Sequence, residues 1–301
     1  MAFANGRILA LDDAARALPA DATWDAGGHT LTPGFNDAHS HTVWFGQTLL
    51  EVDLSQAATP NDVYSALNPA EPNPDGWIIA SGFRPSGLDT PVTIAGLDRA
   101  TDGRPLLIKH NSGHAYTVNT AALRAAGIDP ADPPEVEGGE FVRDEEGNCT
   151  GLVDENAMRL IQNVTLPESG EEIARALELA TRRYLERGLT SVTDAGVAGG
   201  WIGHSPREIA AHQNATLHTR MQIMVTMDVL HEISGHASDG PGWGLDGGLR
   251  TGFGDEWLQI GPVKMFSDGS ILGTTAALTE EYACCQHHGY FQGDPEQMRE
   301  R

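Results

Sequence analysis

At 301 residues with 40% apolar side chains, the chain is long enough for one large or two modest globular domains. A formal net charge of -23 is the wrong sign for a nucleic-acid backbone or an anionic membrane as partner. No apolar run approaches the roughly 20 residues of a membrane span, and the amino terminus lacks the order of a secretory signal, so the chain reads as cytoplasmic. Three cysteines, Cys149 and the adjacent Cys284 and Cys285, form neither a disulfide framework nor a Cys-x-x-Cys pair and read as reduced, incidental thiols.

Residues 4–30 read as short strands, Gly6 to Leu11 and Asp21 to Trp24, separated by turns and an alanine-rich piece, a fragment of a small β layer ending at the Pro33-Gly34 turn. Leu31 to Val43 follows. As a strand it sends Asp37, His39 and His41 to one side, because residues two apart share a face. His-x-His at a strand end is a ready pair of metal ligands when both imidazoles are neutral, although two solvated histidines beside a turn would read the same way. Residues 50–165, rich in Pro, Gly and Asp, hold strand candidates at Trp77 to Ala80 and Pro105 to Lys109, and a helix candidate from Asn119 to Ala126 closed by Gly127. Their irregularity predicts an insertion.

From Ser169 the pattern becomes regular. Ser169 and Glu172 form a capping box, and Ile173, Leu177, Ala180 and Tyr184 make one helical face that Gly188 terminates. Leu189 to Asp194 reads as a strand, Ser205-Pro206 as the start of a second helix, Leu217 to Met227 as a strand, Asp228 to Ser234 as a third helix, and Leu258 to Phe266 as another strand. Alternating helices and strands predict a mostly parallel sheet, open or closed into a barrel, with functional groups beyond the carboxyl ends of the strands. His39, His41, Asp194 and Lys264 fall there.

Of the 19 basic residues 17 are arginine, and the two lysines, Lys109 and Lys264, each end an apolar run. An amine can lose its proton when desolvated and guanidinium in practice cannot, so lysine in such a chain draws attention. Lys109 reads as a snorkelling side chain at a strand end. Lys264 in a dry site can add carbon dioxide to give a carbamate, an anionic oxygen ligand able to bridge two cations. Gly242 to Gly247 fits a G-x-G-x-x-G pattern but has no strand before it and no helix after it, which argues against a nicotinamide oxidoreductase.

Four stretches in order, Thr32 to His41, Ser112 to Leu123, Gly188 to Gly196 and Gly261 to Leu278, resemble the YtcJ-like branch of the amidohydrolase superfamily, amidohydrolase family 3. The resemblance implies an α/β fold, a distorted (β/α) barrel with a small β-sandwich. It implies a metal-dependent hydrolase that cleaves carbon-nitrogen bonds of small amides or N-formyl compounds through metal-bound hydroxide. It further implies His39, His41 and Lys264, as its carbamate, for one or two divalent cations, with zinc the expected ion, and His114 and Glu155 as substrate-side candidates.

The family pattern continues with His, His and Asp on the fifth, sixth and eighth strands, which nothing after Phe266 offers; His287 and His288 read as solvated. The expectation is therefore an incomplete barrel, the first half only. It comprises a partial sandwich segment at 1–33 and a half-barrel at 34–301, with 50–165 as an insertion after the first barrel strand. No catalytic set is complete in this chain, the general base being expected beyond Arg301, so a truncated, weakly active or inactive form is expected. The alternative is a non-catalytic fragment that associates through its open barrel edge. Neither nucleic acid nor membrane is an expected partner.

Overall fold

The computed structural model describes residues 1–136, 139–165, 168–199, 206–233, 235, 242–269, 271, 276–284, 286–291 and 294–300. It divides into two compact units, Met1–Gly34 and Phe35–Arg301. In the first, β1 (Ala2–Ala4) and β2 (Arg7–Ala10) pair antiparallel, with Ala4 opposite Arg7. The two-residue turn between them is Asn5-Gly6, both at positive φ (50° and 72°), the backbone that matches strand twist. A short helix, α1 (Asp12–Arg16), takes the alanine-rich piece, and Asp21 to Trp24 forms no strand. No side chain of this unit is buried, so it has no core of its own.

The second unit opens with β3 (Phe35–Ser40) and α2 (Thr42–Thr48). The predicted insertion then proves to be an ordered layer. It contains β4 (Val52–Asp53), α3 (Pro60–Leu67), β5 (Ile78–Phe83), α4 (Ile94–Ala100), β6 (Leu106–His110), β7 (Ala115–Val118), α5 (Thr120–Ala125), β8 (Gly139–Arg143), β9 (Cys149–Glu155) and α6 (Met158–Thr165). Its strands form one mixed six-stranded sheet in the order β4-β5-β6-β7-β9-β8. The run Leu106-Leu107-Ile108 explains the placement of β6. Leu106 and Ile108 pack with Val63, Leu67 and Leu97 on one face, while Leu107 packs with Val118, Phe141 and Val153 on the other. A strand covered on both faces is apolar at every position rather than alternately. Asn119 caps α5 by accepting from the Ala122 amide at 3.0 Å, and Gly127 follows at φ 72°, as the sequence predicts.

The regular part continues with α7 (Gly170–Glu186), β10 (Leu189–Val197), α8 (Glu208–Asn214), β11 (Arg220–Val225), the antiparallel pair of β12 (His231–Glu232) and β13 (Trp243–Gly244), β14 (Leu258–Ile260) and α9 (Pro295–Glu300). The second sheet is entirely parallel, with neighbours β14-β11-β10-β3 in reverse chain order, and among the described residues it is open rather than closed. In α7 the Ser169 hydroxyl accepts from the Glu172 amide at 3.2 Å, and Glu172 accepts in return from the Ser169 amide at 2.9 Å. Its buried face, Ile173, Leu177 and Ala180, packs toward the parallel sheet, and Tyr184 stacks on Phe45 of α2 at 5.3 Å.

In this regular part three elements differ from expectation. The strand predicted over Leu258 to Phe266 ends at Ile260, and beyond it Lys264 makes only an isolated bridge to Thr226. The helix predicted over Asp228 to Ser234 is a single turn at Met227–Val229 followed by β12; Ser234 lies outside the described residues. So short a segment gains little from helix formation, and β12 instead pairs with β13, where Ile233 covers Gly244. The second helix begins at Glu208 with Arg207 as its cap residue, so Pro206 precedes it; the predicted cap residue Ser205 lies outside the described residues.

Candidate metal centre

All four strands of the parallel sheet point the same way, so their carboxyl ends line one edge. His39 sits at the end of β3, its amide held by the Asp37 carboxylate at 3.0 Å. His41 has left the strand and occupies the residue before α2, yet the two imidazoles remain neighbours, edge to face with centroids 5.3 Å apart. Lys264 reaches the same edge beyond β14. Its amide donates to Val225 at 2.8 Å and its carbonyl accepts from Met227 at 2.9 Å, which extends the parallel pairing of β11. Its amine lies 4.7 Å from the centre of the Phe266 ring.

The electrostatics of His41 register this convergence. Burial lowers its pKa, the proximity of His39 and Lys264 lowers it further, and Asp194 and the Ala195 backbone oppose them without prevailing. His41 is therefore favoured as neutral imidazole, and its Nδ1 is buried with no hydrogen-bond partner among the described residues. A buried nitrogen lone pair without a partner fits a cation. Among the described residues no group of three His, Cys, Asp or Glu is arranged to hold a metal, so two imidazoles and a lysine are what this edge offers. The lysine becomes an oxygen donor only as a carbamate.

Beneath the histidines lies a polar cluster. Asp194, 3% exposed, accepts from the Thr42 amide at 3.2 Å and faces His212 Nε2 at 3.5 Å. His212 Nδ1 is 2.9 Å from the Glu208 carbonyl, and the Glu208 carboxylate accepts the Ala198 amide at 2.7 Å. Burial alone would depress the His212 pKa, but Asp194 and then Glu208 outweigh it, so the pKa is raised.

The six-stranded sheet contributes a rim. His114 lies in the tight connection from β6 to β7, and its Nδ1 stands 3.2 Å from the Glu155 carboxylate at the end of β9. Glu155 is held in the left-handed region (φ 49°), and its amide donates to the His114 carbonyl at 3.1 Å. The preceding Gly113 backs onto Trp44, whose ring lies 6.2 Å from that of His41, so this loop reaches the imidazoles through one indole. Lys109 is not a snorkelling side chain. Its amine pairs with Glu51 at 2.6 Å, both side chains largely buried; burial alone would lower its pKa, but Glu51 reverses the direction and raises it.

The parallel sheet's edge thus brings His39 and His41 together and receives Lys264, while His114 and Glu155 pair with each other on the six-stranded sheet. Three participants were not singled out from sequence: His212, Glu208 and Trp44. The one available signal was the Glu208-His212 spacing of four on an otherwise apolar helix face.

The carboxyl edge of a parallel α/β sheet, where such folds gather functional groups, here carries two imidazoles and a lysine, and comparisons with known proteins give the family. The chain belongs to the amidohydrolase family, whose model matches residues 22–301. It is 30% identical over 260 residues to the "Putative amidohydrolase YtcJ" of Bacillus subtilis (strain 168), a match covering 85% of this chain and 46% of that protein. It is 32% identical over 191 residues to the N-substituted formamide deformylase of Arthrobacter pascens, covering 60% of this chain and 35% of that protein. The fold is similar to the crystal structure of an uncharacterized metal-dependent hydrolase from Pyrococcus horikoshii OT3, with a TM-score of 0.62 and 21% identity, over 88% of this chain and 49% of that one. The chain spans about half the length of the curated relatives it matches.

Proposed function

We propose that this chain supplies the first half of a metal-dependent amidohydrolase barrel that cleaves carbon-nitrogen bonds of small amides or N-formyl compounds. His39 and His41 hold a divalent cation, zinc being the expected ion, and Lys264 joins them as its carbamate. A cation at that edge supplies Lewis-acid polarisation of a carbonyl and makes water a stronger acid. The chain's own side chains do the rest. Trp44 walls the imidazoles, and His114 with Glu155 presents a polar pair to a substrate amide at the rim. The observation that carries this reading is geometric: the neighbouring imidazoles of His39 and His41 lie at the end of β3, and Lys264, more than two hundred residues further on, is brought to the carboxyl edge of the same sheet by its backbone pairing with β11.

Two imidazoles and one carbamate are a sparse set for two cations, so the 301-residue chain alone is expected to turn over slowly. The test is formate release from N-substituted formamides and amine release from small amides. Slow release that disappears with a chelator and in His41→Asn supports the reading; release indifferent to both contradicts it.

A second reading, a non-catalytic chain that associates through its sheet edge, is favoured by one observation. Among the described residues β14 and β3 each have a partner on one side only, and Trp257, beside β14, is exposed. Sedimentation velocity over a range of concentrations separates the two: a dimer without turnover favours association, and a monomer with turnover the enzyme.

A further inference from the structure

Helix α2 begins without a local cap. Its cap residue is His41, which makes no capping side-chain hydrogen bond, because the position is taken by an imidazole rather than by the Ser, Thr, Asp or Asn that normally satisfies the first amides. The first of those amides, Thr42 N–H, is instead met by the carboxylate of Asp194, from a strand 152 residues further on. Ser40 closes the other side of the turn: its hydroxyl lies 2.9 Å from that of Thr42 and donates to the Thr193 carbonyl at 3.4 Å.

We propose that Asp194 is a positioning residue for this centre, acting as a remote helix cap that fixes the turn carrying His41, with His212 of α8 at ion-pair distance behind the same carboxylate oxygen. The proposal rests on the reading that His39 and His41 hold a cation. Asp194 does not touch the cation; it acts on the backbone directly after the ligand. Its support comes from α8, where His212 faces the same carboxylate oxygen at 3.5 Å, and Glu208 ties that helix to the end of β10 by accepting the amide of Ala198, a non-glycine residue at φ 76°. Thr42, Asp194, His212, Glu208 and Ala198 are all at most 3% exposed, so water cannot replace any missing partner. A carboxylate that merely docked α8 onto the sheet would have no reason to reach across to the amide of Thr42.

The test uses the full chain in two states. In metal-free protein, Asp194→Ala is expected to speed hydrogen exchange of the Thr42 amide at least about tenfold beyond any change at the other amides of α2 and α7. In zinc titrations against a chromophoric chelator the same variant is expected to bind about 10–100-fold more weakly, the usual range for residues that orient ligands. Asp194→Asn, which keeps an acceptor for Thr42 and loses the charge facing His212, should fall between, and it serves if the alanine variant does not fold. Ile173→Val, which trims the same core without touching the network, controls for general loosening. Unchanged Thr42 exchange, or equal losses in Ile173→Val, overturns the proposal. Wild-type chain that takes up no zinc while Thr42 still responds to Asp194 leaves the cap standing and removes the metal reading; zinc uptake with an indifferent Thr42 does the reverse.

Discussion

Two buried histidines give this protein opposite responses to acid. His110 is nearly buried, its Nε2 2.7 Å from the Thr117 hydroxyl, and burial pushes its pKa down to about 4. Its folded value lies below the unfolded one, so the stability it allows is complete above about pH 6.5 and is lost as pH falls toward 4, about 3 kcal/mol over that window. His110→Gln should flatten urea-monitored stability between pH 6.5 and 4; an unaltered slope would contradict this. His212 runs the other way. Its raised pKa makes its contribution full below the unfolded value and lost as pH rises through the folded one, so His212→Gln should cost more stability at pH 5.5 than at pH 9. The Lys109–Glu51 pair makes a third point at this scale. Removing one partner strands a buried charge, so Glu51→Leu alone should cost about 3–5 kcal/mol, and the double change to Leu and Met much less; equal losses by denaturant titration would refute a buried pair.

At the scale of elements, α2 and α7 cross at Gly46, where an added Cβ would overlap the Ala176 carbonyl. Gly46→Ala should therefore separate the two helices and, because α2 follows His41 directly, weaken zinc binding and stability together; a folded variant of wild-type stability would contradict the close crossing. Helix α7 was legible in sequence because its capping box and its 4-3-4 apolar spacing are local signals that agree. Ser169→Ala should cost about 1 kcal/mol by denaturant titration. β6 was legible as an apolar run, but its six-stranded sheet was not, since strands such as β8 and β9 pair antiparallel across a polar, turn-rich stretch whose composition hides them. The Asp228 to Ser234 segment was misread because its partner, β13, is distant in sequence and no periodicity connects the two. Residue type and spacing drew attention to His39, His41 and Lys264, but only the family resemblance of the stretches around them named the three as a ligand set. Asp194's partners were not, because His212 meets it only once α8 has docked.

For the molecule as a whole, two sheets share the work. The parallel sheet carries His39, His41 and Lys264 on one edge, and the six-stranded sheet, anchored beside α2 by Lys109 and Glu51, delivers the loop of Gly113 and His114 to that edge through Trp44. That division follows the chain: an imidazole pair first, then a long excursion that folds on its own two-sided core, then the strands that bring the lysine back. In the proposed function these imidazoles and this amine make one centre, which the amine joins by taking up carbon dioxide. Zinc affinity of the 301-residue chain, measured by chelator competition with and without bicarbonate, tests it most directly. Bicarbonate should tighten binding at least about tenfold in the wild-type chain and have no effect in Lys264→Arg, whereas equal affinity in all four conditions would contradict a shared centre.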